Sequence, residues 1–169
     1  DQVENYFAIL QSYLQDQPKT LLFGILERNL KSQEIYNSVV MLNGRDRQIY
    51  RKRHLVPFGE FFPVPDVVRQ WMRLMSLPSS DLSAGSDNQP ILVSLGGDKS
   101  AVAICNEDAY SAEQLYALPE AGVLIKVSNE AWFGDSIAPH QRLNMARASA
   151  LEAGRYMVRA TNTGVSAFI

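Results

Sequence analysis

The chain has 169 residues, within the roughly 100–200 residues that make one domain. Apolar residues make up 46% and charged residues 20%, a balance too apolar for a disordered chain. Sixteen Lys plus Arg against eighteen Asp plus Glu leave a net charge of −2, so no broad basic field is available and nucleic-acid binding is not expected.

Residues 4–15 place Tyr6, Ile9, Leu10, Tyr13 and Leu14 at helical spacing, and Pro18 follows as a stop. Thr20–Leu26 is a short apolar run, which suits a buried strand. Ile35–Leu42 is a second strand, Asn43-Gly44 a turn dipeptide, and Arg47–Lys52 the returning strand of a hairpin. Residues 54–65 hold three prolines and a glycine in twelve positions, which predicts a rigid loop. Asp66–Met75 reads as a helix with Val67, Val68, Trp71, Leu74 and Met75 on one stripe.

Leu77–Pro90 reads as a loop. Ile91–Leu95 and Ser100–Cys105 are strands around a Gly96-Gly97-Asp98 turn. A helix is expected near 111–118, a buried strand at Val123–Ser128 and a helix at Pro139–Gly154. The helix stripe of Leu143, Ala146, Ala150 and Ala153 is small enough for a neighbour to approach closely. Tyr156–Thr161 and Val165–Ile169 close the chain as strands around Asn162-Thr163-Gly164. Mixed strands and helices imply a layered α/β architecture. The sequence starts at Asp1 with neither initiator methionine nor signal peptide and stops at Ile169 inside an apparent strand, so it is expected to be part of a longer protein. No apolar run approaches the roughly 18 residues of a membrane span.

Cys105 is the single cysteine, which excludes an internal disulfide and a cysteine-cluster zinc site. The two histidines, His54 and His140, are far apart and do not suggest a metal site. Cys105 ends the apolar run Ala101–Ile104, where a turn could present its thiol for attack and offer backbone N–H groups to an oxyanion. Lone cysteines are equally at home as inert core residues. Lys52 lies where a strand runs into the proline-rich loop and could hold charge near an oxyanion; flanked by Arg51 and Arg53, it also fits a surface lysine. Glu60 lies among aromatics eight residues from Lys52, as a partner for it or as an exposed loop acid. Trp132 follows a buried strand and could wall a pocket or fill the core.

Four ordered segments, residues 52–60 (KRHLVPFGE), 103–107 (AICNE), 128–134 (SNEAWFG) and 159–164 (RATNTG), resemble the carbon–nitrogen hydrolase (nitrilase) superfamily, and within it the periplasmic domain of the apolipoprotein N-acyltransferases of Gram-negative bacteria. The resemblance runs along nearly the whole chain. It implies an αββα sandwich belonging to a single nitrilase-like domain, with Cys105 as nucleophile, Lys52 as the lysine of a Glu–Lys–Cys triad and Glu60 as a supporting glutamate. Asn106, Glu107 and Trp132 are implied as substrate contacts. The family's general-base glutamate lies in a Pro-Glu motif upstream of the first helix; no such motif starts this chain, so the piece alone is expected to be inactive. The position after the nucleophile is usually aromatic in the family and is Asn106 here.

The implied reaction takes a phospholipid sn-1 acyl chain through a cysteine thioester to the N-terminal amine of a diacylglyceryl-modified apolipoprotein. It needs no metal or cofactor and runs at the bacterial inner membrane on the periplasmic side, with membrane helices flanking the domain. A soluble amidase or nitrilase of the same superfamily, or a non-catalytic lipoprotein-binding domain, are the other readings.

Overall fold

The computed structural model describes residues 2–44, 46–65, 67, 68, 71, 74, 82–110 and 115–169. Helix α1 (Gln2–Leu14) leads into β1 (Leu21–Arg28), β2 (Ile35–Asn43) and β3 (Asp46–Arg51), an antiparallel sheet in the order β1-β2-β3. Asn43 pairs with Asp46, and Gly44 takes φ +58° to close the hairpin. The second sheet has the order β4-β5-β6-β7-β8, from β4 (Leu92–Val93), β5 (Lys99–Ile104), β6 (Val123–Ser128), β7 (Tyr156–Thr161) and β8 (Ala167–Phe168). Strands β5, β6 and β7 run parallel, and the short edge strands β4 and β8 are antiparallel to their neighbours. Helix α2 (Ala138–Ala153) crosses from β6 to β7.

Alternation along each strand sorts the side chains into layers. In β2, Val40 and Leu42 pack with Leu14, Phe7 and Leu10 of α1, whereas Val39 and Met41 turn inward. A strand covered on both faces is apolar on both, which is why Val39–Leu42 reads as a continuous apolar run rather than an alternating one. The inward residues meet Val102 and Ile104 of β5, and this contact is the core between the sheets. On the far side, Ala101, Leu124 and Met157 receive Ala146 and Ala150 of α2. The small Ala146 and Ala150 let the helix lie close to the sheet. The layer order is therefore helix, sheet, sheet, helix, as the family resemblance implied.

Helix α2 has Pro139 in its first turn, where a missing N–H costs nothing. It ends on Gly154 at φ +59°, whose N–H reaches back to the Ala150 and Leu151 carbonyls. The segment from Cys105 to Ala109 forms a 3-10 turn. One expectation is corrected. Of the helix expected near 111–118, residues 111–114 lie outside the described residues, and Leu115–Ala117 is a single 3-10 turn stopped by Pro119. The helix expected over Asp66–Met75 falls mostly outside the described residues; Val67, Val68, Trp71 and Leu74 are helical, and Trp71 is 55% exposed. Among the described residues no helix is long and apolar enough to cross a membrane.

Candidate active site

Cys105 sits one residue past β5, at the carboxyl end of the parallel strands, where open α/β sheets place their ligands. Its φ of +55° puts a non-glycine residue in the left-handed region. Such strain, of order 1–3 kcal/mol, persists only where the surroundings hold it, and it concentrates at functional sites. The thiol is free and partly exposed.

Glu107 explains how the turn is held. Its Oε2 accepts from the Ile104 N–H at 2.7 Å, and its Oε1 accepts from the Arg53 N–H at 2.7 Å and the His54 N–H at 3.2 Å. Tyr50 Oη donates to the same carboxylate at 3.2 Å. One buried carboxylate thus ties the end of β5 to the chain leaving β3, and brings the Cys105 and Lys52 segments to the same end of the sandwich. Burial pushes the Glu107 carboxyl above its usual range, opposed by these N–H donors and by the Lys52 charge. Burial and the Glu107 charge raise the Tyr50 phenol as well. Glu107, expected as a substrate contact, has no exposed surface and its oxygens are taken up within the protein.

Lys52 is fully buried, so the surface-lysine alternative is excluded. Its Nζ donates to Glu60 Oε2 at 2.6 Å. Glu60 is held in turn by the Val56 N–H at 2.8 Å and by Asn37 Nδ2 at 2.9 Å. The proline-rich loop is tight here: the Gly59 and Glu60 N–H groups both donate to the Val56 carbonyl. The loop therefore carries the glutamate back over the lysine that precedes it.

Asn106 is partly buried, and its amide oxygen has no partner among the described residues. Trp132 belongs to a 3-10 turn (Ala131–Phe133) and is 84% exposed, so it is not a core residue.

The sequence reading missed a buried ion cluster behind the thiol. Lys126, on the α2 face of β6, is fully buried and ion-paired with Asp108 of the Cys105 turn. Glu130 pairs with Arg159 of β7, both buried. Arg142 of α2 lies between them, with Nε 3.4 Å from Glu130 Oε1 and Nη2 3.9 Å from Asp108 Oδ1. Arg142 Nη2 also lies 3.6 Å from Cys105 Sγ. Burial, and then the Arg142 and Arg159 guanidiniums, push the Lys126 ammonium down to about 7 despite its contact with Asp108. One sequence signal was available: a lysine inside the apolar strand Val123–Ser128.

Comparison with known proteins gives the arrangement a context. The chain is 43% identical over 167 residues to the apolipoprotein N-acyltransferase of Nitrosomonas europaea, which covers 98% of this chain and 33% of that protein. It is 42% identical over 166 residues to the enzyme of that name from Methylococcus capsulatus, covering 98% of this chain and 32% of the relative. The match to the Azotobacter vinelandii protein of the same name is 39% over 168 residues, again 98% of this chain and 32% of the relative. The chain spans about a third of the length of these curated relatives. The family pattern of the carbon–nitrogen hydrolases matches residues 4–169. With that match over nearly its whole length and the four layers described above, the chain belongs to the carbon–nitrogen hydrolase family.

Proposed function

We propose that this chain is the reacting part of an acyltransferase that moves a phospholipid sn-1 acyl chain, through a thioester on Cys105, to the N-terminal amine of a diacylglyceryl-modified apolipoprotein. The observation that carries this reading is the buried Lys52–Glu60 pair at the same end of the sandwich as a strained Cys105. The names of the relatives support it.

In this reading the Cys105 sulfur attacks the ester carbonyl, and the carbonyl electrons move onto oxygen. Lys52 and a backbone N–H of the Cys105 turn hold that oxyanion; one such donor contributes roughly 3 kcal/mol. Glu60 fixes the lysine in place and offsets its burial. The ester C–O bond breaks, the lysophospholipid leaves with a proton, and a thioester remains. The acceptor amine then attacks the thioester; the C–S bond breaks, an amide forms and the amine loses a proton. The base that serves both proton transfers is a glutamate in the family. This sequence carries no motif for it, and the full-length protein supplies it in this reading.

Asn106 follows the nucleophile in the chain and carries a buried amide oxygen without a partner among the described residues, and it stands as a substrate contact in this reading. The exposed Trp132 stands as a contact for the lipid portion. Glu107 acts through the backbone it binds and is a positioning residue. Val67, Trp71 and Leu74, at 79%, 55% and 83% exposure, form an apolar arm suited to a lipid interface. The chain is then one nitrilase-like domain of a membrane protein, on the periplasmic side of the bacterial inner membrane.

The test is mass spectrometry of the full-length protein incubated with phospholipid in detergent micelles. One acyl chain is expected on the Cys105 peptide, released by hydroxylamine and transferred to a diacylglyceryl peptide. An undiminished adduct in Cys105→Ala overturns the assignment. Loss of the acyl chain to water at the same rate with and without the peptide identifies a hydrolase instead.

A further inference from the structure

We infer that Arg142 is a further catalytic residue, the fixed cation that holds negative charge on the Cys105 sulfur. The inference rests on the reading of Cys105 as the nucleophile, and it goes beyond the lysine and glutamates that the family resemblance implies.

Arg142 Nη2 lies 3.6 Å from Cys105 Sγ with the geometry of a donor. The guanidinium reaches the sulfur from α2, and its carbon lies 5.4 Å from the Phe133 ring centroid. Glu130 and Asp108 brace it at 3.4 and 3.9 Å. It is 14% exposed, so little water screens it.

Asp108 has its own cation in Lys126, and Glu130 has its own in Arg159. Among the described residues, the other charged groups at this end of the sheets are engaged elsewhere. Lys52 and Glu60 pair with each other, and Glu107 faces Tyr50, Arg53 and His54. While Lys126 holds its proton, Arg142 is the third cation of a cluster with two carboxylates, and a buried unmatched charge is costly. The third anion is the sulfur when it is a thiolate. Lys126 can shed its proton when the sulfur is acylated and neutral; a guanidinium cannot. Arg142 is therefore the charge present at both steps. It favours the attacking anion, and it favours expulsion of the same anion when the amine displaces it.

The experiment measures alkylation of Cys105 in the full-length protein, which needs neither acyl donor nor acceptor. In the unmodified protein, the rate with anionic iodoacetate relative to neutral iodoacetamide is expected to exceed the ratio for N-acetylcysteine. Arg142→Met is expected to slow iodoacetamide alkylation at pH 7 by roughly tenfold, the scale of one hydrogen bond to a charged group, and to move the acid limb of its pH profile upward. Arg142→Lys, which keeps the charge, is expected to retain the profile. A wild-type reagent ratio equal to that of the free thiol overturns the inference even if Arg142→Met does not fold. So does a folded Arg142→Met with an unchanged pH profile. A missing acyl adduct on Cys105 would sink the acyltransferase reading while leaving these rates interpretable.

Discussion

Lys52 Nζ lies 2.6 Å from Glu60 Oε2, and the lysine has no exposed surface. A buried ammonium with one carboxylate partner depends on it: removing one member of such a pair costs about 3 kcal/mol or more, because the other is stranded. Glu60→Ala is expected to lower the melting temperature by about 8 °C for a domain of this size. Glu60→Gln keeps the shape but turns one acceptor into a donor facing the ammonium, and is expected to slow acyl-adduct formation about 100-fold. Calorimetry and single-turnover mass spectrometry check the two effects. Wild-type rates in Glu60→Gln would remove Glu60 from the proposed mechanism.

Glu27 and Arg51 make a two-pronged pair across the first sheet, with Nη2–Oε1 at 2.6 Å and Nε–Oε2 at 3.0 Å. The Arg51 hydrogen bonds hold the Glu27 carboxyl below its ordinary value. The unfolded chain therefore takes up this proton first as pH falls. The stability from this pair is full above about pH 4.5 and is lost as pH drops through the lower folded value. Glu27→Gln is expected to cost about 1 kcal/mol at pH 7 and to flatten the acid limb of urea midpoints measured from pH 6 to 3.

Lys126 works in the opposite direction on the alkaline side. Its ammonium is pushed down to about 7 in the folded protein, against about 10.4 in an unfolded chain. Below pH 7 both states hold the proton and the burial penalty is constant. Between 7 and about 10.4 only the unfolded chain keeps it, so this residue makes stability rise with pH. Urea midpoints should climb across that window in the wild type and climb less in Lys126→Met. An equal slope in both would show that the ammonium stays charged.

Gly164 tests the packing behind the thiol. A Cβ there would overlap the Glu130 carboxylate, which pairs with Arg159. Gly164→Ala is expected to destabilise by about 2–3 kcal/mol through overpacking at a buried ion pair. Gly122 serves as the control, because a Cβ added there would meet nothing within 4 Å. Gly122→Ala should stay within about 0.5 kcal/mol of the wild type. Thermal melts of the two variants make the comparison.

Trp71 tests the lipid-facing arm. Trp71→Ser should fold normally, since the side chain is 55% exposed. It is expected to slow acyl-adduct formation from phospholipid vesicles, while adduct formation from a soluble short-chain ester is unchanged. Equal losses with both donors would place Trp71 in the protein's packing rather than at the interface.

The α2 stripe of small residues and the apolar runs at β2, β5 and β6 are local patterns that point to a layered α/β architecture, while the helix–sheet–sheet–helix order was implied by the resemblance of the four motif segments. The change from strand to turn at Cys105 and the short loop from Lys52 to Glu60 are local features that left inert alternatives open, and the triad roles proposed for these residues rest on the resemblance of the motif segments. The 3-10 turns were missed because their hydrogen bonds lie within single turns that leave no periodicity.

By itself the sequence determined which residues alternate, where the chain turns and which motif segments it carries, since all of these depend on neighbours a few positions apart. Only the tertiary structure decided that Lys52 is buried rather than a surface lysine, that Trp132 is exposed rather than core, and that Glu107 faces inward. It alone assembled Asp108, Lys126, Glu130, Arg142 and Arg159 around one sulfur. Those charges come from separate segments of the chain, and the balance among them exists only once parallel strands and a crossing helix exclude the water between them.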